Sequence, residues 1–275
     1  MSLFIASLNS GSNGNCYYVG NDTDAVLIDA GISCRETERR MKKLNLVMQK
    51  VKAIFVSHEH SDHITGVTGL SKKYKLPVYI TNSTLTASRL PIEKNLVQSF
   101  SANQSITIGS LSVVAFPKFH DASDPHSFII SGNNINVGVF TDIGNVCKNV
   151  IKNFKDCNAV FLESNYCEEM LANGRYPEFL KKRISGDDGH LSNAQALELF
   201  LKYRNKQLTH LILSHLSKNN NRVELVREIF EEYAGATKIV VASRYKETEV
   251  FQINEAFSSQ AKRVKKSAET QLSLF

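Results

Sequence analysis

His58-Glu59-His60-Ser61-Asp62-His63 places three imidazoles and the Asp62 carboxylate within six consecutive residues. Borderline divalent metals favour that mixture of nitrogen and anionic oxygen donors. The preceding run, Val51-Lys-Ala-Ile-Phe-Val-Ser57, is short, apolar and of strand type, so the cluster falls where a buried strand ends and a loop begins. Strand ends of α/β folds are where sites are built. The alternative is a polar surface turn leading into a helix from Ile64 to Lys75. The density of ligand-type side chains argues against it.

The rest of the chain offers further donors, again at strand ends. His120 follows the run Leu111 to Phe116, Asp142 closes Ile135 to Thr141, and His215 closes His210 to Ser214. About four protein ligands complete a structural zinc site. Five histidines and two aspartates, His58, His60, His63, His120, His215, Asp62 and Asp142, therefore predict two metals rather than one. Zinc is the first expectation, and manganese or iron(II) also suits these donors.

This ordered set resembles the metallo-β-lactamase superfamily in its dinuclear hydrolase form, whose HxHxDH motif reads here as His58, His60, Asp62 and His63. The resemblance implies a four-layer αββα sandwich. It also implies that His58, His60 and His120 hold the first metal, that Asp62, His63 and His215 hold the second, and that Asp142 bridges them. The complete motif argues against lactamases proper, which usually lack its last histidine. It also argues against diiron oxygen reductases, which carry a carboxylate where His60 stands.

Pattern alone supports a mixed α/β domain. Strands are expected over Phe4 to Leu8, Cys16 to Val19, Ala25 to Asp29, Pro77 to Thr81, near Ile106, Ser127 to Ile130, Ala159 to Glu163 and Lys238 to Ala242. Helices are expected over Cys34 to Leu44, Ser83 to Leu90, Val146 to Phe154, Pro177 to Ile184, Ser192 to Tyr203 and Arg222 to Tyr233. With 275 residues, 42% of them hydrophobic, one catalytic domain over 1–256 has enough apolar side chains for one sizeable core. Five scattered cysteines and no secretory signal suggest reduced thiols in a cytoplasm. No apolar run approaches the ~20 residues of a membrane span.

His190, in Gly189-His190-Leu191-Ser192-Asn193, lies between Asp142 and His215. It resembles the extra histidine of ribonuclease Z-type nucleases, which contacts the scissile phosphate and helps protonate the leaving oxygen. An imidazole is a suitable general acid near neutral pH. Together with Ser10-Gly-Ser-Asn-Gly-Asn15, Leu27-Ile-Asp-Ala-Gly31, His120-Asp-Ala-Ser-Asp-Pro125 and Thr141-Asp-Ile-Gly144, this segment resembles the bacterial YycJ/WalJ-like branch. That resemblance implies 5′-to-3′ exonuclease action on DNA, in repair or replication. In the expected reaction a hydroxide held between the metals attacks phosphorus, Asp62 orients it while ligating, and His190 protonates the departing oxygen. Ser10 to Asn15 reads either as an ordinary turn or as a loop whose glycines let backbone N–H groups approach a phosphate.

Residues 257–275 read as a basic, flexible tail, with Lys262, Arg263, Lys265 and Lys266 ahead of Gln271-Leu-Ser-Leu-Phe275. This ending resembles the bacterial sliding-clamp-binding peptide, with Gln271, Leu272, Leu274 and Phe275 docking on the clamp. A net charge of +6 and a pI near 9.0 fit a polyanionic partner, nucleic acid and most simply DNA. Basic residues on the early helix (Arg39, Arg40, Lys42 and Lys43) suit either nucleic-acid contact or a solvated face. The competing functions are an RNA or small cyclic phosphodiesterase, a glyoxalase II-type thioesterase, and a non-catalytic clamp-bound adaptor.

Overall fold

Strand runs that are apolar at nearly every position require a cover on both faces of a sheet, and the computed structural model, which describes residues 2–254, provides it. Segment 257–275, with Gln271, Leu272, Leu274 and Phe275, lies outside the described residues. The first half of the chain forms β1 (Leu3–Asn9), β2 (Cys16–Gly20), β3 (Ala25–Ile28), α1 (Cys34–Lys43), β4 (Val51–Phe55), α2 (Ser61–Ile64), α3 (Val67–Tyr74), β5 (Val78–Tyr79), α4 (Asn82–Ser88) and β6 (Val97–Gln98). The second forms β7 (Ser105–Ile108), β8 (Leu111–Pro117), β9 (His126–Gly132), β10 (Ile135–Phe140), α5 (Lys148–Phe154), β11 (Ala159–Glu163), α6 (Glu168–Asn173), α7 (Glu178–Ser185), α8 (Asn193–Tyr203), β12 (His210–Ser214), α9 (Val223–Glu231), β13 (Lys238–Val241) and β14 (Phe251–Ile253).

Among the described residues these strands make two seven-stranded sheets, ordered β14-β1-β2-β3-β4-β5-β6 and β13-β12-β11-β10-β9-β8-β7. Each sheet begins antiparallel and turns parallel where helices cross between strands. The period-2 alternation of side chains then divides each strand between two cores. Val26, Ile28, Ala53 and Phe55 face Val137, Val139, Phe161 and Ile212 between the sheets. Leu27 and Ile54 face Met41 and Leu70 of α1 and α3 on one outer side. Val160, Leu162, Leu211 and Leu213 face Val150, Phe200 and Phe230 of α5, α8 and α9 on the other. The result is the four-layer αββα sandwich.

One expected helix is broken. The pattern predicts one helix from Ile64 to Lys75 after the metal-ligand loop, yet the chain leaves α2 and re-enters helix only at Val67. Tertiary bonds replace the helical one at the break, because Gly66 N–H donates to Ala30 O (2.7 Å) while Asp62 O accepts from Asn15 N–H (2.7 Å). The break ties the metal-ligand loop to two neighbouring strand ends. At the N-terminus of α8, Ser192 and Gln195 form a reciprocal capping box.

Candidate metal centre

The parallel strands all point their C-terminal ends toward one edge of the sandwich, and the side chains collect there. Ser57 and His58 follow β4, Asp29 follows β3, Asp142 follows β10, Glu163 ends β11 and His215 follows β12. Asp29, Asp142 and His215 adopt φ of +59°, +54° and +57°. This left-handed conformation is uncommon outside glycine and costs about 1–3 kcal/mol per residue. Here it turns the chain sharply at the strand tip, and the buried surroundings hold it in place.

The structure brings every sequence-expected ligand into one cluster. Ligand atoms of His58, His60 and His120 lie within 4.8 Å of one another, and so do those of Asp62, His63 and His215. Asp142 sits between the two groups. Its Oδ2 is 3.2 Å from His63 Nε2, and its Oδ1 is 3.4 Å from His215 Nδ1 and 3.9 Å from His120 Nε2. Three of the rings are anchored through a second nitrogen, which fixes their orientations. His63 Nδ1 meets Asp29 Oδ2 at 2.7 Å, His58 Nδ1 meets Ser57 Oγ at 2.9 Å, and His120 Nδ1 donates to Gly189 O at 3.0 Å.

The donor chemistry fits divalent cations. Burial pushes His58 well below the ordinary histidine range and His120 down to about 4, which keeps both neutral, as a metal ligand must be. His120 Nε2 is buried with no hydrogen-bond partner among the described residues and points into the cluster. Burial alone would raise Asp62 and Asp142, yet neighbouring histidines outweigh it and hold both carboxyls below their usual range. Against the same burial penalty, Asp142 and its neighbouring carboxylates lift His215 to about 10. A pocket this rich in carboxylate favours added positive charge.

Sequence reasoning missed Glu163. This fully buried carboxylate accepts from four donors: Oε1 from His190 Nδ1 (2.8 Å) and His215 Nδ1 (2.9 Å), Oε2 from the backbone N–H of Ile143 (2.8 Å) and Leu191 (3.1 Å). Burial raises it, but His190 and the bonds to both histidines outweigh that and leave it at about 2, ionised. His190 stands at the rim with its side chain 21% exposed, its ring 5.2 Å from those of both His120 and His215. Asn15 was also missed as an individual contact; its Nδ2 donates to Asp62 Oδ2 at 3.1 Å.

Two surface expectations are corrected. The amides of Gly11, Gly14 and Asn15 already donate to Asn15 Oδ1, Gly11 O and Asp62 O, so they do not form a phosphate cradle. Arg40 is not a solvated cation. It is buried, paired with Glu36 and bonded to Leu8 O and Asn9 Oδ1, while Arg39 and Lys43 pair with Glu36 and Glu247.

Gly31 marks where the β3 tip touches the ligand loop. A Cβ there would lie 1.6 Å from Asp62 O. Gly31→Ala is expected to displace Asp62, lowering metal occupancy and destabilising the fold by roughly 1–3 kcal/mol, as overpacking does. Metal analysis and a melting curve check it; wild-type values in both would refute it.

Helix layers outside two sheets, with histidine and aspartate side chains gathered at the strand ends, together with the family and relatives that follow, define a metal-dependent hydrolase of the metallo-β-lactamase fold. The beta-lactamase superfamily domain matches residues 24–215. The chain is 38% identical over 232 residues to "Exodeoxyribonuclease YycJ" of Bacillus anthracis, covering 82% of this chain and 87% of that protein. It is 30% identical over 223 residues to "Exodeoxyribonuclease WalJ" of Streptococcus pneumoniae, covering 79% and 83%. Among solved structures, the metallo-β-lactamase fold protein YhfI from Bacillus subtilis superposes with a TM-score of 0.70 at 15% identity, over 92% of this chain and all of that one. The chain therefore belongs to the metallo-β-lactamase superfamily and, within it, to the YycJ/WalJ-like branch. The superfamily fold implies divalent metal ions. No helix among the described residues is long and apolar enough to cross a membrane.

Proposed function

We propose that this hydrolase cleaves phosphodiesters of nucleic acid, as a DNA exonuclease working from the 5′ end in repair or replication. The observation that carries the reading is the His190–Glu163 pair beside the ligand cluster. Cleaving a phosphodiester expels a poor alkoxide, and this pair supplies the proton donor such a leaving group needs. The names of the two bacterial relatives support DNA as the substrate and exonucleolysis as the mode. The 5′-to-3′ polarity comes from the branch that the sequence resembles.

His58, His60 and His120 would hold one divalent ion and Asp62, His63 and His215 another, with Asp142 reaching both; zinc is the ion proposed, and manganese or iron(II) suits the same donors. When bound, such ions supply Lewis acidity and activate water. The chain does the rest. Asn15 fixes the Asp62 carboxylate that orients the nucleophile, and Asp29 locks His63. Ionised Glu163 holds the Nδ1–H of His190, which leaves Nε2 as the atom that delivers a proton to the departing oxygen. The tail 257–275 is proposed to dock on a sliding clamp through Gln271, Leu272, Leu274 and Phe275, raising the local concentration of the enzyme on DNA.

The test is digestion of 5′- and 3′-labelled DNA and RNA by metal-loaded protein. Stepwise loss from the 5′ end of DNA is expected. Cleavage of RNA alone would replace the reading with RNA processing, and no cleavage of any strand would overturn it. A second expectation isolates His190. His190→Ala should keep its metal content and lose roughly 10²–10⁴-fold in kcat on oligonucleotides. It should lose far less on bis(p-nitrophenyl) phosphate, whose leaving group departs without a proton. Metal loss in the variant would sink the assignment.

A further inference from the structure

The loop that touches Asp62 through Asn15 has a second face. Ser10, whose Oγ accepts from His215 N–H at 2.7 Å, also lines a cavity of about 140 Å³ whose wall continues through Leu216 and Ser217, the residues after His215. The cavity carries Lys218 and Arg244 and, among the described residues, no carboxylate in its lining. Arg244 Nη1 is buried yet has no hydrogen-bond partner among the described residues. A buried guanidinium N–H is a strong donor that costs free energy when unmatched. Beside it Tyr245 is 68% exposed, its ring centroid 5.9 Å from Arg244 Cζ.

The backbone is shaped to hold that arginine. Gly11 has φ +142°, and a Cβ there would lie 3.2 Å from Arg244 Cβ, while Asn13 Nδ2 donates to Arg244 O at 2.8 Å. One short loop therefore fixes Arg244 at one end and the Asp62 carboxylate at the other. A half-buried guanidinium with an unmatched Nη1, an exposed lysine and an exposed aromatic face are complementary to a nucleotide: phosphate on the cations, base on the ring.

We propose that this cavity is a subsite for the nucleotide next to the scissile phosphodiester, with Arg244 and Lys218 binding its phosphate and Tyr245 stacking its base. The inference rests on the nucleic-acid reading of the metal centre and adds where the flanking strand lies. It requires at least two phosphates on the substrate, one in each place. A substrate with a single phosphodiester and no neighbouring phosphate gains nothing from Arg244.

The experiment compares wild type, Arg244→Gln and Tyr245→Ala, all metal-loaded full-length chains, on a short DNA oligonucleotide and on bis(p-nitrophenyl) phosphate. Arg244→Gln is expected to raise KM for the oligonucleotide about tenfold or more and to leave kcat/KM for the small ester within about twofold. Tyr245→Ala, at an exposed position, should shift KM in the same sense without loss of stability. Equal loss on both substrates would overturn the proposal by showing that Arg244 only supports the metal centre, and an unchanged oligonucleotide KM in both variants would overturn it as well. Failure of the nucleic-acid reading looks different: the wild type itself would then cleave the small ester and no oligonucleotide.

Discussion

Asp142→Asn should reduce hydrolysis to background while leaving a folded protein. Asparagine matches aspartate in size and tolerates the left-handed φ of +54° at this position, which alanine would strain. The substitution therefore removes charge and little else. That charge is central. Asp142 is buried, with His63 Nε2 3.2 Å from one oxygen and His215 Nδ1 and His120 Nε2 at 3.4 and 3.9 Å from the other, so it touches both ligand groups. His215 and His63 overcome the burial penalty and keep the carboxyl ionised well below its usual range. A neutral amide cannot satisfy both groups, and half of it presents N–H donors where lone pairs are needed. Loss of an outer-shell partner typically lowers metal affinity or activity roughly 10–100-fold, and loss of the shared carboxylate should exceed that. Metal analysis should find less bound metal, and rates at saturating metal should remain at background. Near-wild-type turnover in the loaded variant would remove Asp142 from the centre.

How visible each part of the site is in the sequence depends on how local its cause is. His58 to His63 is legible because six consecutive residues carry it, and His120, Asp142 and His215 because each follows an apolar run that ends in a strand tip. The strands themselves were legible for the same reason; Ala159–Glu163 and His210–Ser214 begin and end where the apolar runs do. What was not legible is long-range. β14 pairs with β1 across almost the whole chain, and its three residues have no signature of their own. The helix break after α2 arises from bonds to Ala30 and Asn15, which no window around Gly66 contains. In the sequence Glu163 is only the residue that closes the strand run from Ala159. Only the order β10-β11-β12 puts that strand end between Asp142 and His215, where the carboxylate is sealed from water.

Glu163→Gln should therefore act on stability as well as on rate. The fully buried carboxylate spends four lone-pair directions on four donors, two ring N–H groups and two backbone N–H groups. Glutamine keeps one acceptor oxygen and replaces the other with an NH2 donor. Whichever way the amide turns, two N–H groups face another donor. If the oxygen faces the histidines, Ile143 and Leu191 lose their partner and the turn after β10 loosens. If it faces the backbone, His190 and His215 lose the anchor that sets their tautomer. Each unsatisfied buried group costs about 1–3 kcal/mol, so a lowered melting temperature is expected together with a roughly 10–100-fold loss in kcat/KM. The rate effect should overlap with that of His190→Ala, because Glu163 acts on the leaving group only through that ring. The double variant should fall well short of the product of the two single losses, the signature of coupled residues. Fully multiplicative losses would mean that Glu163 does not act through His190, and a Glu163→Gln protein as stable as wild type would contradict the bonding seen around it.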